Sequence, residues 1–137
     1  MRLGKMSGLY NNVVVDNEQE LRPVRFTDRG RVRLGKILKA ARERKGWSTT
    51  ETEFKTKEYE AALFITAGEP VPKDIGISSA TVSRYERGKS DNLDWHSLCL
   101  LCFVLKPVDP VTGEPLEPGN ALYIASEHPP YNAAKLY

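Results

Sequence analysis

Residues 77–90 read ISSATVSRYERGKS, and this stretch decides how the chain is expected to fold. Ser78 has a side chain suited to cap a helix and a glycine follows Arg87, so a short helix is predicted over Ser79–Arg87. Val82 and Tyr85 lie three residues apart and should face inward. Taken alone, a capped helix with serines and arginines on its outer face is typical of a solvated surface, so its role depends on its neighbours.

A first helix is predicted over Val32–Lys45, ahead of this stretch. Its apolar residues follow the i, i+3, i+4, i+7 spacing of a buried stripe: Leu34, Ile37, Leu38 and Ala41. Gly46 follows a basic last turn and is suited to end the helix. Residues 1–31 are predicted to be an extended N-terminal arm, in which NNVVVDN at 11–17 forms a brief strand or an ordered arm.

A second helix is predicted to begin in the segment STTETE at 48–53, which contains two overlapping capping boxes, and to run toward Phe64. Its apolar residues make only a partial stripe: Phe54, Ala61, Ala62 and Ile65. The segment TAGEPVPKDIGI at 66–77 holds prolines and glycines that must end this helix. One short helical turn over Val71–Ile75, started by a proline, is compatible with the segment.

A further helix over Asp94–Leu105 is predicted by a broad apolar stripe: Trp95, Leu98, Leu101, Cys102 and Leu105. His96, Cys99 and Cys102 follow one another at steps of three residues, which suggests a metal site. Only three ligands come together on this helix, however, and free cysteine packs well in protein cores, so core packing is favoured over zinc. A disulfide framework is not indicated.

The chain after Lys106 changes composition to PVDPVTGEPLEPGN at 107–120, which predicts an extended, turning segment. ALYIASEH at 121–128 is expected to add one or two helical turns. Residues 107–137 form a C-terminal extension with apolar side chains that need a cover: Leu122, Tyr123, Ile124 and Tyr131. Packing on the core of the same chain and a dimer contact are both open.

Three blocks of the sequence carry a resemblance: LGKILKAARERKGWS at 34–48, IGISSATVSRYERGK at 75–89 and WHSLCLLCFVL at 95–105. In this order they resemble the lambda repressor and Cro-like helix-turn-helix family, also called the XRE family. The resemblance implies a compact all-α domain of four to six helices over 32–106, with an extended N-terminal arm and a Pro/Gly-rich C-terminal tail. It also implies that the helix over 79–87 enters the major groove of double-stranded DNA.

The resemblance further implies roles for individual residues. Ser79, Ala80 and Arg84 occupy the positions that face base edges, and an arginine fork matches O6 and N7 of guanine. Residues suited to phosphate oxygens, which position a protein without specifying a sequence, are Thr49, Thr81, Ser83, Arg87 and Lys89. A structural ion pair between Arg42 and Glu86 is predicted to fix the first helix against the recognition helix.

The passage from Ser48 to Ser78 is much longer than in the family, so residues 50–72 are interpreted as an insertion. Either the second helix is lengthened to about Ile65 and followed by an extended return, or an inserted helix precedes a short second helix at Val71–Ile75. Residues 48–76 hold 3 Lys or Arg against 6 Asp or Glu. The insertion is therefore expected at a protein contact or over the core, and not on DNA.

Basic charge is concentrated at the front of the chain, where residues 1–47 hold 12 Lys or Arg against 5 Asp or Glu. Five arginines of this region are predicted to form a basic arm: Arg22, Arg25, Arg29, Arg31 and Arg33. Such an arm could bind phosphate or reach into a minor groove, and it could equally be solvated. Both interpretations stay open at the level of sequence.

Several other classes of protein are disfavoured. The longest apolar run, LCLLCFVL at 98–105, is far shorter than the roughly 20 residues of a membrane span. The start of the chain lacks the apolar core of a signal peptide, so a cytoplasmic protein without membrane contact is expected. There is no catalytic motif and no Gly-rich phosphate loop, so neither enzymatic activity nor a metal or other cofactor is expected.

The sequence thus predicts a transcriptional regulator, repressor-like, that occupies a DNA operator as a homodimer. One alternative is the antitoxin of a toxin-antitoxin module, which would use the same fold on its own promoter and cover a protein partner with another segment. A second alternative is a helix-turn-helix adaptor that binds proteins and no DNA. The adaptor stays open because Ser79 and Ala80 are small residues at positions that should read bases.

Overall fold

The N-terminal segment contains an antiparallel pair of strands, and the described chain after it consists of helices joined by non-helical connections. The structure is a computed structural model that describes residues 13–17, 20–23, 26–90 and 93–127. Strand β1 (Val13–Asn17) pairs with β2 (Glu20–Pro23), with an irregular register between Val15 and Asn17. The strand alternative for the segment NNVVVDN is therefore confirmed over Val13–Asn17, and its first two residues lie outside the described residues.

Helix α1 spans Asp28–Lys45 and begins four residues before the predicted start at Val32. The Thr27 side chain accepts a hydrogen bond from the Gly30 N–H and caps the helix, while Asp28 places a negative charge in its first turn. Gly46 ends the helix with φ of 73°, a left-handed conformation that favours glycine. The predicted end of this helix is confirmed, and the predicted start is wrong because the cap lies further upstream.

Helix α2 is continuous over Thr49–Thr66. Ser48 caps it in a capping box with Glu51, as predicted. Of the two arrangements open for residues 50–72, the structure has the lengthened second helix followed by a non-helical return over 67–78. The helical turn considered at Val71–Ile75 does not form. The N–H groups that would close it, those of Gly76 and Ile77, donate to side chains of α2 instead.

Three shorter helices complete the described chain: α3 (Ser79–Glu86), α4 (Trp95–Leu105) and α5 (Pro118–Ser126). Ser78 caps α3 and Asp94 caps α4, each accepting a hydrogen bond from a backbone N–H three residues on. The compact all-α fold of four to six helices is confirmed, with five helices in the residues that the structure describes. Among these residues no helix is long and apolar enough to cross a membrane.

The core lies where α1, α3, α4 and α5 meet. Its fully buried leucine and valine side chains come from three of these helices: Leu34, Leu38, Val82, Leu98, Leu101 and Leu105. Helix α5 packs so closely on α1 that a Cβ atom at Gly30 would come within 2.1 Å of the Ala125 carbonyl oxygen. Leu122 and Ile124 are buried in this core, so the described part of the C-terminal extension packs on its own chain. Tyr131 lies outside the described residues.

Candidate nucleic-acid interface

Helix α3 is anchored to the core by the two residues that the sequence assigned to its inner side. Val82 and Tyr85 are buried. The Tyr85 hydroxyl also accepts a hydrogen bond of 3.0 Å from the Asp94 N–H, which ties α3 to the cap of α4. Burial raises the pKa of Tyr85, so the hydroxyl stays protonated. The rotation of α3 about its axis is thereby set.

The outer side of α3 presents Ala80, Arg84 and Arg87 to solvent. Arg84 Nη2 donates to Thr81 Oγ1 at 3.1 Å, and the Ser78 hydroxyl donates to the same oxygen at 3.0 Å. Arg87 Nε donates to the carbonyl oxygen of Ser83 at 3.2 Å. Both arginines are therefore oriented by their own helix while their guanidinium groups stay accessible.

The other residues expected at DNA are placed around this side. Ser79, Thr81 and Ser83 are half-buried, whereas Lys89 is exposed just after the helix. Thr49 is the first residue of α2 and is half-buried. Of the three predicted base-facing residues, two are exposed, and Ser79 is turned partly toward α2.

The predicted ion pair between Arg42 and Glu86 is confirmed. Arg42 Nε donates to Glu86 Oε2 at 2.6 Å and Nη2 donates to Oε1 at 3.0 Å, and Nη1 donates to the Trp47 carbonyl oxygen at 2.7 Å. The hydrogen bond to Glu86 raises the pKa of Arg42. The Glu86 side chain is only 6% exposed. The pair turns the one acid of α3 inward and leaves Arg84 and Arg87 as the charged side chains of its outer side.

Close backbone contacts hold the same end of α3 against α1. A Cβ atom at Gly35 would lie 2.4 Å from the Glu86 carbonyl oxygen and 2.6 Å from that of Tyr85. Gly88, after the end of α3, sits against Val32, and Arg31 Nε donates to the Gly88 carbonyl oxygen at 3.4 Å. A side chain at Gly35 would push the two helices apart, so glycine is required there.

The other end of α3 is held by a row of polar side chains on α2, which we call the polar stripe: Glu53, Thr56 and Glu60. Glu60 Oε1 accepts from the Gly76 N–H at 2.7 Å, and Thr56 Oγ1 accepts from the Ile77 N–H at 2.9 Å. Glu53 Oε1 accepts from the Ser79 N–H at 2.9 Å. The stripe thus supplies acceptors to the turn that leads into α3, where buried N–H groups need partners.

The polar stripe replaces the apolar face that the sequence indicated for α2. Phe54 and Ile65, two members of the predicted partial stripe, are 61% and 67% exposed, and Thr56 is fully buried. The predicted apolar face is therefore wrong. The sequence does show residues 53, 56 and 60 at the spacing i, i+3 and i+7 of one helix face. A face of Glu and Thr is normally exposed, however, and it can be recognised as buried only when the backbone N–H groups that donate to it are known.

Glu53 keeps a negative charge at the N-terminus of α3. Its second oxygen accepts from Lys57 Nζ at 2.8 Å. This hydrogen bond, together with that from the Ser79 backbone, lowers the pKa of Glu53. The carboxylate therefore stays ionised, and the acidic side of the candidate interface lies toward α2.

Three of the five arginines assigned to a basic arm belong to α1 instead. Arg29 pairs with Glu127 at 2.8 Å, and Arg31 bonds to Asp28 and, at 3.0 Å, to the Phe26 carbonyl oxygen. Arg33 is exposed on the same helix. The arm assignment is wrong for these three because the Thr27 cap starts α1 ahead of them. The side chain of Arg22 and all of Arg25 lie outside the described structure.

The His96, Cys99 and Cys102 series on α4 does not converge on a common point. Cys102 is buried in the core, where loss of solvent raises its pKa to about 12, and the half-buried Cys99 also has a raised pKa because of burial. His96 Nε2 contacts Glu60 Oε2 at 2.7 Å, so it supports the polar stripe. In the described part of the chain, no group of three or more His, Cys, Asp or Glu side chains could hold a metal ion.

Neither the protein-family models, nor the curated proteins, nor the solved structures gave a match to this chain. The functional proposal therefore rests on the geometry of α3 and on its contacts with α1 and with the polar stripe of α2.

Proposed function

We propose that this chain binds double-stranded DNA in a sequence-specific manner, with α3 in the major groove, and acts as a repressor-like transcriptional regulator. One observation carries the proposal. The outer side of α3 has two exposed arginines, Arg84 and Arg87, and it has no acid, because Arg42 draws the helix's one acid, Glu86, into a buried pair. A short helix with a cationic, acid-free outer side suits a groove lined by phosphates.

Arg84 is the main reader of sequence in this proposal. Its guanidinium group is exposed and is oriented by the bond to Thr81, so less side-chain freedom is lost when it binds. The arginine fork can donate two hydrogen bonds to O6 and N7 of one guanine. Ala80, one turn earlier, can contact a thymine methyl group. Ser79 contributes less, because it is half-buried beside α2.

Phosphate contacts complete the proposed interface. Arg87 and Lys89 are exposed cations at the C-terminal end of α3, and Thr81 and Ser83 offer hydroxyl groups along it. Thr49 lies at the start of α2, next to its capping residue. Such contacts set the position and orientation of a protein on the duplex without specifying the bases.

The proposal places the protein in the cytoplasm, acting as a homodimer on an operator with two half-sites. It needs no cofactor. Two-fold symmetric proteins of this docking type read half-sites about one helical turn apart, which corresponds to roughly 34–36 Å. A selected operator should therefore be a palindrome with that spacing between its half-sites.

The test is a selection of bound duplexes from a random pool, followed by fluorescence-anisotropy titration of the selected duplex. The wild-type chain should bind selectively, with an affinity that falls as salt rises. Arg84→Ala should weaken binding by about 1–3 kcal/mol and relax the preference at one guanine of each half-site. A wild-type chain that shifts no duplex even at low salt contradicts the proposal.

Arg44→Ala is the matched control for this test. Arg44 is an exposed arginine in the last turn of α1, and no ion pair of the described residues includes it. The variant removes the same charge as Arg84→Ala but leaves α3 unchanged. It should keep the base preference of the wild type, and an equal loss of selectivity in both variants would show that only bulk charge matters.

A second candidate function is favoured by the apolar outer side of α2. Phe54 and Ile65 are eleven residues apart, so they point to the same side of the helix, and both are mostly exposed. A protein partner on that side would fit an antitoxin or an adaptor. The double variant Phe54→Ser and Ile65→Ser should then abolish binding to such a partner in a pull-down while DNA binding is unchanged.

A further inference from the structure

Helix α1 touches α3 along one line of residues. Val32 meets Gly88, Gly35 meets the carbonyl oxygens of Tyr85 and Glu86, and Arg42 pairs with Glu86. These three positions of α1 follow the spacing i, i+3 and i+10, which describes one side of a helix. Position 39, at i+7, belongs to the same line and is occupied by a lysine.

Lys39 and its neighbour Lys36 are both exposed, although they adjoin this contact line. No ion pair among the described residues includes either of them. Two acids of α1 are exposed on this side: Glu43, one turn after Lys39, and Asp28, one turn before Val32, which is bonded to Arg31. The two lysines therefore offer free ammonium groups beside the end of α3 that bears Arg87.

The surroundings of α3 differ in charge between its two sides. Toward α1 the exposed charges are three cations, Lys36, Lys39 and Arg87, against one acid, Glu43. Toward α2, the Glu53 carboxylate accepts from the first N–H group of α3, that of Ser79, and already holds Lys57 as its partner. A polyanion that lies along α3 is thus attracted on the α1 side and not on the α2 side.

We infer that Lys36 and Lys39 of α1 form a second phosphate-binding strip, which binds the DNA backbone beside the groove that α3 occupies. The inference rests on the proposed function, because it supplies a contact for DNA held by α3. Lysine suits this role as a mobile point charge for phosphate, whereas it is poorly suited to reading base edges here, away from the groove. The strip adds affinity without adding sequence preference.

The test compares the salt dependence of binding for the wild type and the double variant Lys36→Gln and Lys39→Gln. Affinity for the selected duplex is measured over a range of salt concentrations. Each phosphate contact contributes about 0.9 to the slope of log K against log salt for B-DNA. The double variant should therefore show a slope smaller by about 2 and an affinity lower by about tenfold or more at low salt, with the same base preference.

The matched control is the double variant Lys55→Gln and Lys106→Gln. Both lysines are exposed, and they lie with Phe103 and Tyr59 on the surface between α2 and α4. The two double variants lower the net charge by the same amount. The control should keep the wild-type slope apart from a small general effect of charge.

Equal slopes for the two double variants would overturn the strip while leaving DNA binding by α3 in place. A wild-type chain that binds no duplex would instead overturn the proposed function. Phosphate ethylation interference gives an independent measurement. Ethylation of one or two phosphates beside each half-site should weaken wild-type binding and have no effect on the Lys36→Gln and Lys39→Gln variant. Interference that persists in that variant also overturns the strip.

Discussion

The two ends of α3 are held by different kinds of contact. The C-terminal end is packed against α1 through the close approach at Gly35 and a buried bidentate pair, Arg42 with Glu86. The N-terminal end is held by the polar stripe of α2, which accepts hydrogen bonds from the N–H groups of Gly76, Ile77 and Ser79. The close approach at Gly35 resists displacement at any pH, whereas the hydrogen bond from the Ser79 N–H to Glu53, whose pKa is lowered, depends on the charge of that carboxylate. We therefore expect the C-terminal end to determine stability and the N-terminal end to respond to pH.

The largest effect is expected at the buried ion pair. Arg42→Ala leaves the Glu86 carboxylate without its partner at a site that is almost closed to solvent. Because an unpaired buried charge is strongly unfavourable, the variant should lose about 3–5 kcal/mol of unfolding free energy. Urea unfolding followed by circular dichroism measures this loss. Arg44→Ala, two residues on and exposed, should cost less than about 1 kcal/mol. Similar costs for both variants would mean that the pair does not support α3.

A smaller loss is expected from Gly35→Ala. The new methyl group would lie 2.4 Å from a backbone oxygen of α3, so the helices must separate, at a cost of about 1–3 kcal/mol. Gly119→Ala is the control, because Gly119 in α5 has no atom within 4 Å of the position of a Cβ. That change should raise the melting temperature slightly, since alanine is the better helix former. A melting temperature unchanged by Gly35→Ala would refute the close approach.

At the opposite end, Thr56→Val tests the polar stripe. The valine cannot accept the hydrogen bond from the buried Ile77 N–H, and the unpaired donor should cost about 1–2 kcal/mol. Thr52→Val is a matched control one turn earlier, since Thr52 is also fully buried but its hydroxyl bonds within its own helix, to the Ser48 carbonyl oxygen. Chemical denaturation of both variants should give the smaller loss for Thr52→Val. The reverse order would contradict the role assigned to the stripe.

The smallest effect is a change in the pH dependence of stability in Glu53→Gln. Because the pKa of Glu53 is lowered in the folded chain, its ionised form stabilises the fold above the pKa of the unfolded chain, about 4.3. This stabilisation is lost as the pH falls through the lowered pKa. Urea midpoints of wild type and variant should therefore differ near neutral pH and converge in acid. A constant difference at every pH would show that the charge of Glu53 is irrelevant.

Local sequence signals were sufficient for much of the fold. Gly46, the Ser48 capping box and the Ser78 cap act within a few residues of themselves, and each lies where the sequence placed it. The start of α1 was placed too late because Gly30 argues against a helix by propensity. The glycine is needed there because the Ala125 carbonyl oxygen of α5 occupies the space that a side chain at position 30 would fill.

The candidate interface was predictable to a different degree at its two ends. The Arg42 and Glu86 pair was expected from the resemblance to a helix-turn-helix family, and Val82 and Tyr85 follow from helical spacing. The polar stripe was not expected. Its partners are N–H groups between 16 and 26 residues away, and no local pattern shows which backbone groups will need an acceptor.

The sequence by itself determined the caps at Gly46, Ser48 and Ser78, the buried apolar stripes of α1 and α4 and the exposed arginines of α3, because each depends on residues within one or two turns. Only the tertiary structure decided which face of α2 is buried, where the apolar residues of α5 pack, and that Lys39 lies on the line of contact with α3. These features depend on chain segments that meet across long separations. At such contacts, the need to pair every buried N–H group and to pack the interior without voids outweighs the helix preference and apolar pattern of the local sequence.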